Sequence, residues 1–431
     1  MERVNIFWFR RDLRLHDNAG LFHALTSDLP VLPVFIFDKD ILDKLQNKSD
    51  RRVTYIHNHL QKINSELRNY QSSLKTFFAK PQEAFEQLFK SYDVKCVYTN
   101  NDYEPYAIKR DAEIEILCVK YGVKFRRFKD QVIFEKSEVV KNDASPYTIF
   151  TPYSEKWKQK YFESAVESFN TKKYFNNFLK EQFDLTLLKQ IGFKENQSWL
   201  NGTNINNDTI DQYHLHRDIP GEDKTTHVSL PLRFGTISIR QLAKQAAELN
   251  EKYLNELIWR EFFMQVLWHY PQVESRPFRK KFENVEWNRN ENEFEKWCKG
   301  ETGFPIVDAG MRELNETGFM HNRVRMITAN FLTKILFINW QWGEAYFADK
   351  LSDFELSSNN GNWQWSAGCG CDASPYFRIF NPTLQSEKFD PHFKYIKKWI
   401  PGFDEKKYMK PIVDFNVERS RTLEKFKKAF T

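Results

Sequence analysis

The chain lacks long apolar segments. Although 41% of its 431 residues are hydrophobic, no run approaches the ~20 consecutive apolar residues that a membrane span needs. No signal-peptide pattern precedes the first strand-like run, residues 4–9. We therefore expect a soluble, cytoplasmic protein.

Cysteine is scarce, and its distribution argues against two kinds of site. The five cysteines are odd in number and too scattered for a disulfide framework, which favours a reduced compartment. Cys369 and Cys371 are close in sequence, but no second close pair supplies the other ligands of a zinc or iron–sulfur site. We predict that they are two small residues in a loop and that the chain binds no metal.

Glycine is almost absent from the N-terminal third. The first 150 residues contain only Gly20 and Gly122. Dinucleotide-binding and Walker loops need glycines where the backbone meets phosphate. This absence argues against hydride transfer by a nicotinamide bound in this part of the chain.

Aromatic residues, in contrast, are abundant. They make up 16% of the chain, with 39 Phe, 18 Tyr and 12 Trp, so we expect some of them to contact a ligand. Lys and Arg exceed Asp and Glu by 64 to 58, which permits a polyanionic partner without requiring one.

Short apolar runs alternate with helical stretches in the first 130 residues. The runs cover residues 4–9, 31–37, 76–79, 96–98 and 124–128. This alternation predicts a parallel sheet with helices on both sides. From about residue 204 the strand signals vanish and helical periodicity follows. We predict an α/β domain over residues 1–128, a surface connector over 129–200, and an all-α domain over 201–431.

The segment 353–382 has a composition that suits no ordinary core. Trp363 and Trp365 flank one glutamine, an Asn-Asn-Gly run precedes them, and Arg378 follows among aromatics. Aromatic faces stack on flat ligands, amides recognise the edges of heterocycles, and an arginine nearby indicates an anionic group. A Trp-rich loop that packs on its own domain is the alternative interpretation.

A helical pattern in NELIWREFF (255–263) places three different chemical groups on one face. Glu256, Trp259 and Arg260 stand at i, i+3 and i+4. An amphipathic helix with an ordinary ion pair is the alternative.

The segment MHNRVRM (320–326) places two cations on opposite faces. Arg323 and Arg325 are two residues apart, so they point to nearly opposite sides of a helix. One can face an external anion. The other needs an acidic partner, because an unpaired buried charge is costly, and we select Asp353 for that position.

Four motifs of this chain resemble those of the DNA photolyase and cryptochrome family. They are FWFRRDLRLHDN (7–18), NELIWREFF (255–263), PIVDAGMRELNETGFMHNRVRMITANFL (305–332) and the segment 353–382. The resemblance covers nearly the whole chain. It implies a Rossmann-like α/β antenna domain and a helical domain that holds a U-shaped FAD, active as FADH⁻.

The resemblance also implies cofactor-binding residues. Hydroxyls would hold the FAD phosphates, an Arg–Asp pair would lie across the flavin, and an asparagine would face its N5 atom. Glu355 stands where many relatives have an aspartate. The implied set is Tyr213, Thr225, Thr226, Ser229, Arg260, Arg325, Asp353, Glu355 and Asn359.

Three tryptophans match the family's route for electrons from the surface to the flavin. They are Trp287, Trp340 and Trp363. A row of easily oxidised indoles divides one long electron transfer into several short steps. Taken singly, each is more typical of a core residue.

The implied reaction is light-driven DNA repair by a lyase. Family members that repair (6-4) photoproducts carry histidines where this chain has Asn322 and Met326, because that reaction needs a proton donor. We therefore predict repair of cyclobutane pyrimidine dimers by electron transfer from photoexcited FADH⁻ to a flipped-out dimer. The implied catalytic residues are Glu256, Trp259, Asn322, Met326 and Trp365. A cryptochrome photoreceptor and a (6-4) photolyase are the alternatives.

The implied partner is UV-damaged DNA. Four arginines, Arg217, Arg260, Arg323 and Arg378, match a cationic rim that grips phosphates around the lesion. We expect a monomer associated with the nucleoid. A second, antenna chromophore is possible in this family; Tyr106 and Ala107 stand where folate-binding members carry an amide and an acid. A folate is therefore doubtful, whereas a deazaflavin, a flavin or no antenna remain open.

Overall fold

The structure is a computed structural model that describes residues 1–196 and 205–430. The chain forms two compact units. The first comprises Met1–Glu135, Gln159–Thr203 and Val228–Gln245, and the second comprises Lys136–Lys158, Asn204–His227 and Ala246–Thr431. None of the helices in the described ranges is both long and apolar enough to cross a membrane.

The first strand of the chain lies in the middle of a five-stranded parallel sheet in the first unit. The strands are β1 (Arg3–Phe9), β2 (Val31–Asp38), β3 (Lys75–Ala79), β4 (Asp93–Asn100) and β5 (Lys124–Phe128). Their spatial order is β3-β2-β1-β4-β5. Asn5 of β1 stands opposite Val31 of β2 and Cys96 of β4. The predicted parallel sheet is confirmed.

Both faces of this sheet are buried at its central strands β1 and β2. Phe7 and Phe9 belong to one hydrophobic core, and Ile6 and Trp8, which point to the other face, belong to a second. A parallel sheet covered on both faces has strands that read as continuous apolar runs. This explains why the strands could be recognised from composition alone.

The helices of the described residues occur in both units. Those that begin before residue 250 are α1 (Ala19–Leu25), α2 (Lys39–Leu42), α3 (Arg51–Arg68), α4 (Pro81–Ser91), α5 (Pro105–Lys120), α6 (Phe150–Glu163), α7 (Asn207–Asp211), α8 (Tyr213–His216), α9 (Ser229–Phe234) and α10 (Ile239–Leu249). The later ones are α11 (Glu251–His269), α12 (Glu291–Lys299), α13 (Pro305–Thr317), α14 (Asn322–Lys334), α15 (Trp340–Lys350), α16 (Leu356–Ala367), α17 (Pro382–Phe389), α18 (Lys394–Trp399) and α19 (Phe415–Phe430).

The second unit is helical throughout its described elements, which confirms the predicted all-α fold. Val324, Ile327 and Phe331 of α14 recur at three- and four-residue spacing and are buried in one large core. Gly361 lets α16 approach α11 closely, since a Cβ atom there would lie 2.1 Å from the ring of Phe263. This contact fixes the helix that carries the Trp-rich sequence.

The segment predicted as a surface connector differs from that expectation. It contains α6, in which Trp157 is 1% exposed and donates a hydrogen bond to Glu261 at 2.6 Å. Further along, Phe175 and Phe178 are buried in a core of the first unit. Large aromatic side chains bury this segment although its apolar residues show little regular spacing.

Four charged residues form a cluster in the first unit, which we call the buried charge cluster. Asp130 accepts hydrogen bonds from Arg14 at 2.7 Å and from Arg240 at 2.8 Å, and Arg240 also donates to Asp17 at 3.0 Å. Burial raises the pKa of Asp130, but the two arginines outweigh it and lower the pKa below its ordinary value. The cluster joins α10, which carries Arg240, to the loops that follow β1 and β5.

Candidate functional site

A cavity opens in the second unit beside α14 and α16. The apolar part of its lining includes Ala329, Phe347, Leu351 and Phe354. Eight of the predicted site residues line it: Asn322, Arg325, Met326, Asp353, Glu355, Asn359, Trp363 and Trp365.

Helix α16 presents different amides to the cavity and to the protein interior. Asn359 and Trp363, one turn apart, line the cavity. Asn360 and Gln364 instead donate hydrogen bonds to the carbonyl of Val273, both at 2.9 Å. The glutamine between the two tryptophans therefore holds the neighbouring backbone, and only part of the predicted amide set is available to a ligand.

The acid selected for the inward arginine is the one that binds it. Arg325 donates to Oδ2 of Asp353 at 2.9 Å and to the carbonyl of Met320 at 2.7 Å. The other carboxylate oxygen of Asp353, Oδ1, is buried without a hydrogen-bond partner. A buried, unpartnered acceptor is costly unless a ligand satisfies it. This acceptor and the aromatic walls fit a flat heterocycle that carries N–H groups, such as a flavin.

The amide of Asn359 is oriented by the backbone of α15. Its Nδ2 donates to the carbonyl of Glu344 at 3.1 Å, while the Glu344 carboxyl accepts from Asn360 at 2.9 Å. Burial raises the pKa of Glu344 to about 7. Nothing in the motif marks this carboxyl as special, so the sequence did not predict it.

The three predicted electron-transfer tryptophans come from three places in the chain: Trp340 begins α15, Trp363 lies on α16, and Trp287 lies in the segment before α12. Trp363 packs on Gly343, where a Cβ atom would lie 2.2 Å from the indole. Trp340 lies on α15, one turn before Gly343, and is buried. The ring of Trp287 lies 4.9 Å from that of Phe337, three residues before Trp340. Trp297, not singled out in the sequence, lies edge-on to Trp363 at 6.1 Å.

On the predicted face of α11, Arg260, Trp259 and Glu256 each contact a different partner. Arg260 donates to Glu355 at 3.3 Å. The ring of Trp259 is stacked on that of Phe150 at 3.7 Å and 4°. One face of Trp259 is thus covered by a residue that the sequence analysis had placed in the connector, and Trp259 is not among the residues that line the cavity.

Three of the four predicted rim arginines, Arg217, Arg260 and Arg323, are paired with carboxylates. Arg217 lies 2.7 Å from Glu256 and 4.0 Å from Asp218, and Arg323 lies 2.7 Å from Asp218. We call these four residues the charge chain. Burial raises the pKa of Glu256, although Arg217 opposes the shift. Arg378 is exposed in the loop after α16.

The predicted phosphate-binding hydroxyls are divided between the two units. In the second unit, Thr226 exchanges a hydrogen bond with Tyr253 at 2.8 Å, and the ring of Tyr213 lies edge-on to Tyr253 at 5.1 Å. Thr225 is half-buried in the same segment. Ser229 belongs to the first unit, where it is exposed at the start of α9. None of the four lines the cavity described above.

Comparison with known proteins shows similarity along the chain. Residues 5–171 match the family model described as DNA photolyase, and residues 253–405 match the model described as the FAD binding domain of DNA photolyase. A deoxyribodipyrimidine photo-lyase of Synechococcus sp. is 33% identical, over 92% of this chain and 87% of that protein. This match also supports the predicted enzyme class, a lyase.

Two solved structures share the fold. An archaeal photolyase from Sulfolobus tokodaii with two FAD molecules has a TM-score of 0.84 and 34% identity, covering 99% of this chain and 100% of that one. A bacterial class III photolyase from Agrobacterium tumefaciens has a TM-score of 0.87 and 28% identity, covering 100% of this chain and 98% of that one. The chain therefore belongs to the DNA photolyase family, and its helical part is the family's FAD-binding domain.

Proposed function

We propose that this protein repairs cyclobutane pyrimidine dimers in DNA with light. The observation that carries the proposal is the lining of the cavity, where Asn322 and Met326 stand and no histidine is present among the lining residues. A (6-4) photoproduct needs a proton donor at this place, and neither an amide nor a thioether supplies one at neutral pH. The Synechococcus relative is named for the same class of reaction.

The neighbouring histidine does not replace the missing donor. His321 precedes α14, and its ring accepts a hydrogen bond from the backbone of Arg323 at 3.2 Å. Burial lowers the pKa of His321 to about 4. The ring is therefore neutral at pH 7 and already engaged as the cap of its helix.

The residues of the cavity fit a role in binding and orienting the flavin. Arg325, Asp353, Glu355 and Asn359 would hold it. When bound, reduced and excited by light, FAD supplies the electron that splits the dimer and then takes it back. Burial shifts the pKa of Glu256 upward, which is the direction that favours protonation once a dimer displaces Arg217. In its protonated form Glu256 would donate a hydrogen bond to the dimer, and this contact strengthens as negative charge develops.

The decisive experiment is illumination of the reduced protein without oxygen in the presence of an oligonucleotide with one thymine dimer. We expect restored thymines in the light and none in the dark. A parallel sample with a (6-4) photoproduct should stay unrepaired. Repair of the (6-4) lesion without repair of the dimer would overturn the proposal, and repair of neither would favour a photoreceptor.

The tryptophan route has a separate test. Trp363→Phe removes the indole next to the cavity, and we expect it to abolish photoreduction of the oxidised flavin by blue light. Repair by the chemically reduced variant should persist, because that reaction starts from an electron already on the flavin. The absorption spectrum during illumination measures the first effect. Photoreduction at the wild-type rate would reject this route.

A further inference from the structure

The charge chain alternates between acids and bases and between short and long contacts. Arg217 stands between two carboxylates, 2.7 Å from Glu256 and 4.0 Å from Asp218. Asp218 stands between two guanidinium groups, and it is engaged at 2.7 Å by Arg323. Asp218 thus lies within reach of both Arg217 and Arg323.

The two arginines are also held from behind by aromatic rings. The guanidinium of Arg217 lies 5.3 Å from the ring centre of Tyr213, and that of Arg323 lies 4.3 Å from the ring centre of Phe389. Such stacking keeps a guanidinium in place while its polar edge changes partner. The side chain of Asp218 is 41% exposed, so water and a phosphate can reach the pair that it forms.

We call the place beside Glu256 where the proposed function puts the dimer the lesion pocket. We infer that the charge chain couples occupation of the lesion pocket to release of a cation at the phosphate rim, with Asp218 as the positioning residue that sets damage selectivity. The inference rests on the proposed function, because it takes Glu256 as the residue that contacts the dimer. With the pocket empty, the acids neutralise both arginines, and an intact duplex meets a rim with little free positive charge.

Entry of a dimer would shift the pairing along the chain. Glu256 gives up its ion pair with Arg217, takes a proton from water and donates a hydrogen bond to the dimer, so that Arg217 loses its 2.7 Å partner. Asp218 is the nearest remaining carboxylate, and Arg217 moves to it. Two cations then share one acid, which frees Arg323 for a phosphate of the damaged strand. Binding therefore gains a phosphate contact only when the pocket is filled.

The test is the salt dependence of binding to matched oligonucleotides with and without one thymine dimer, measured in the dark. Each phosphate contact steepens the plot of log K against log salt by about one unit. In Asp218→Asn, Arg323 is free from the start. We expect the slope for intact DNA to steepen by about one, the slope for damaged DNA to stay unchanged, and the difference between them to shrink by that amount.

Two control variants make the result specific. Glu295→Gln removes the same charge from an exposed pair with Lys299 and should leave both slopes at their wild-type values. Asp218→Glu keeps the carboxylate and should restore the wild-type difference. Flavin content and thermal midpoint show whether each variant is folded.

Three outcomes would be informative in different ways. An unchanged slope difference in Asp218→Asn overturns the coupling while leaving the proposed repair function intact. An equal effect of Glu295→Gln overturns it as well, because net charge would then explain the result. If wild-type protein binds both oligonucleotides equally, the proposed function itself fails.

Discussion

Two groups of paired charges, one in each unit, use the same residue types at different exposure. In the buried charge cluster of the first unit no side chain is more than 9% exposed. In the charge chain of the second unit the side chains are 17–41% exposed. Charges removed from water are costly to separate, because no solvent replaces a lost partner. Charges that water reaches can exchange partners at small cost.

The difference separates a structural role from the binding role that we propose for the charge chain. Asp130 is surrounded by Arg14 and Arg240, and its lowered pKa reports a net gain from that pairing. Nothing from outside can reach it. Asp218 lies 2.7 Å from Arg323, the same distance that separates Asp130 from Arg14, but its side chain remains open to solvent. The distance within an ion pair therefore does not show which pair serves a ligand.

The largest effect is expected from Asp130→Asn. Two buried guanidinium groups would lose their shared anion, and breaking a buried pair in this way typically costs about 3–5 kcal/mol. Urea unfolding of the variant beside wild type measures the change in the free energy of unfolding. A loss below about 1 kcal/mol would mean that the buried charge cluster stabilises the fold no more than the exposed pairs of the charge chain do.

An intermediate case is Glu313, a buried carboxyl bound by neutral donors. It accepts hydrogen bonds from the hydroxyl of Tyr395 and the backbone of His321. Burial raises its pKa from 4.5 to about 7, so the folded state holds a proton that the unfolded chain releases. Wild-type stability should fall as pH rises from about 4.5 to about 7.

The variant Glu313→Gln should weaken that pH dependence, because an amide does not titrate. The effect should be on the order of 3 kcal/mol or less between the two ends of this range. The pKa of Glu344 is raised in the same direction, to about 7. Some pH dependence of stability should therefore remain in the variant. Thermal midpoints from pH 4.5 to 8 measure it, and an unchanged profile would contradict the role given to Glu313.

The smallest change in stability is expected from Asp218→Asn. Its pair is exposed, and such pairs contribute about 0–1 kcal/mol. The same urea titration measures it. A loss comparable to that of Asp130→Asn would place Asp218 among the structural charges and weaken the case for partner exchange.

Sequence patterns anticipated the features that depend on short segments. The central strands β1 and β2 were visible as apolar runs, because both of their faces are buried. The two-residue spacing of Arg323 and Arg325 and the cost of an unpaired charge predicted that one of the two pairs with Asp353, and the family resemblance indicated Arg325. The family's motifs then indicated most residues of the cavity.

Other features depended on contacts between distant segments. Nothing in the sequence near Gln364 shows that its amide binds the carbonyl of Val273. The stacking of Phe150 on Trp259 joins residues 109 positions apart in the chain numbering. The connector was misjudged for the same reason, since Trp157 is buried by residues that lie far from it in sequence.

The sequence by itself determined the fold class, the family and the kinds of side chain that the site contains, because periodicity and motif order are properties of the chain. Only the tertiary structure decided which charges are paired, which amides face the cavity, and which carboxylate oxygen of Asp353 is left without a partner. Hydrogen bonds and ion pairs require distances of about 3 Å. Such distances between segments arise only when the helices have packed.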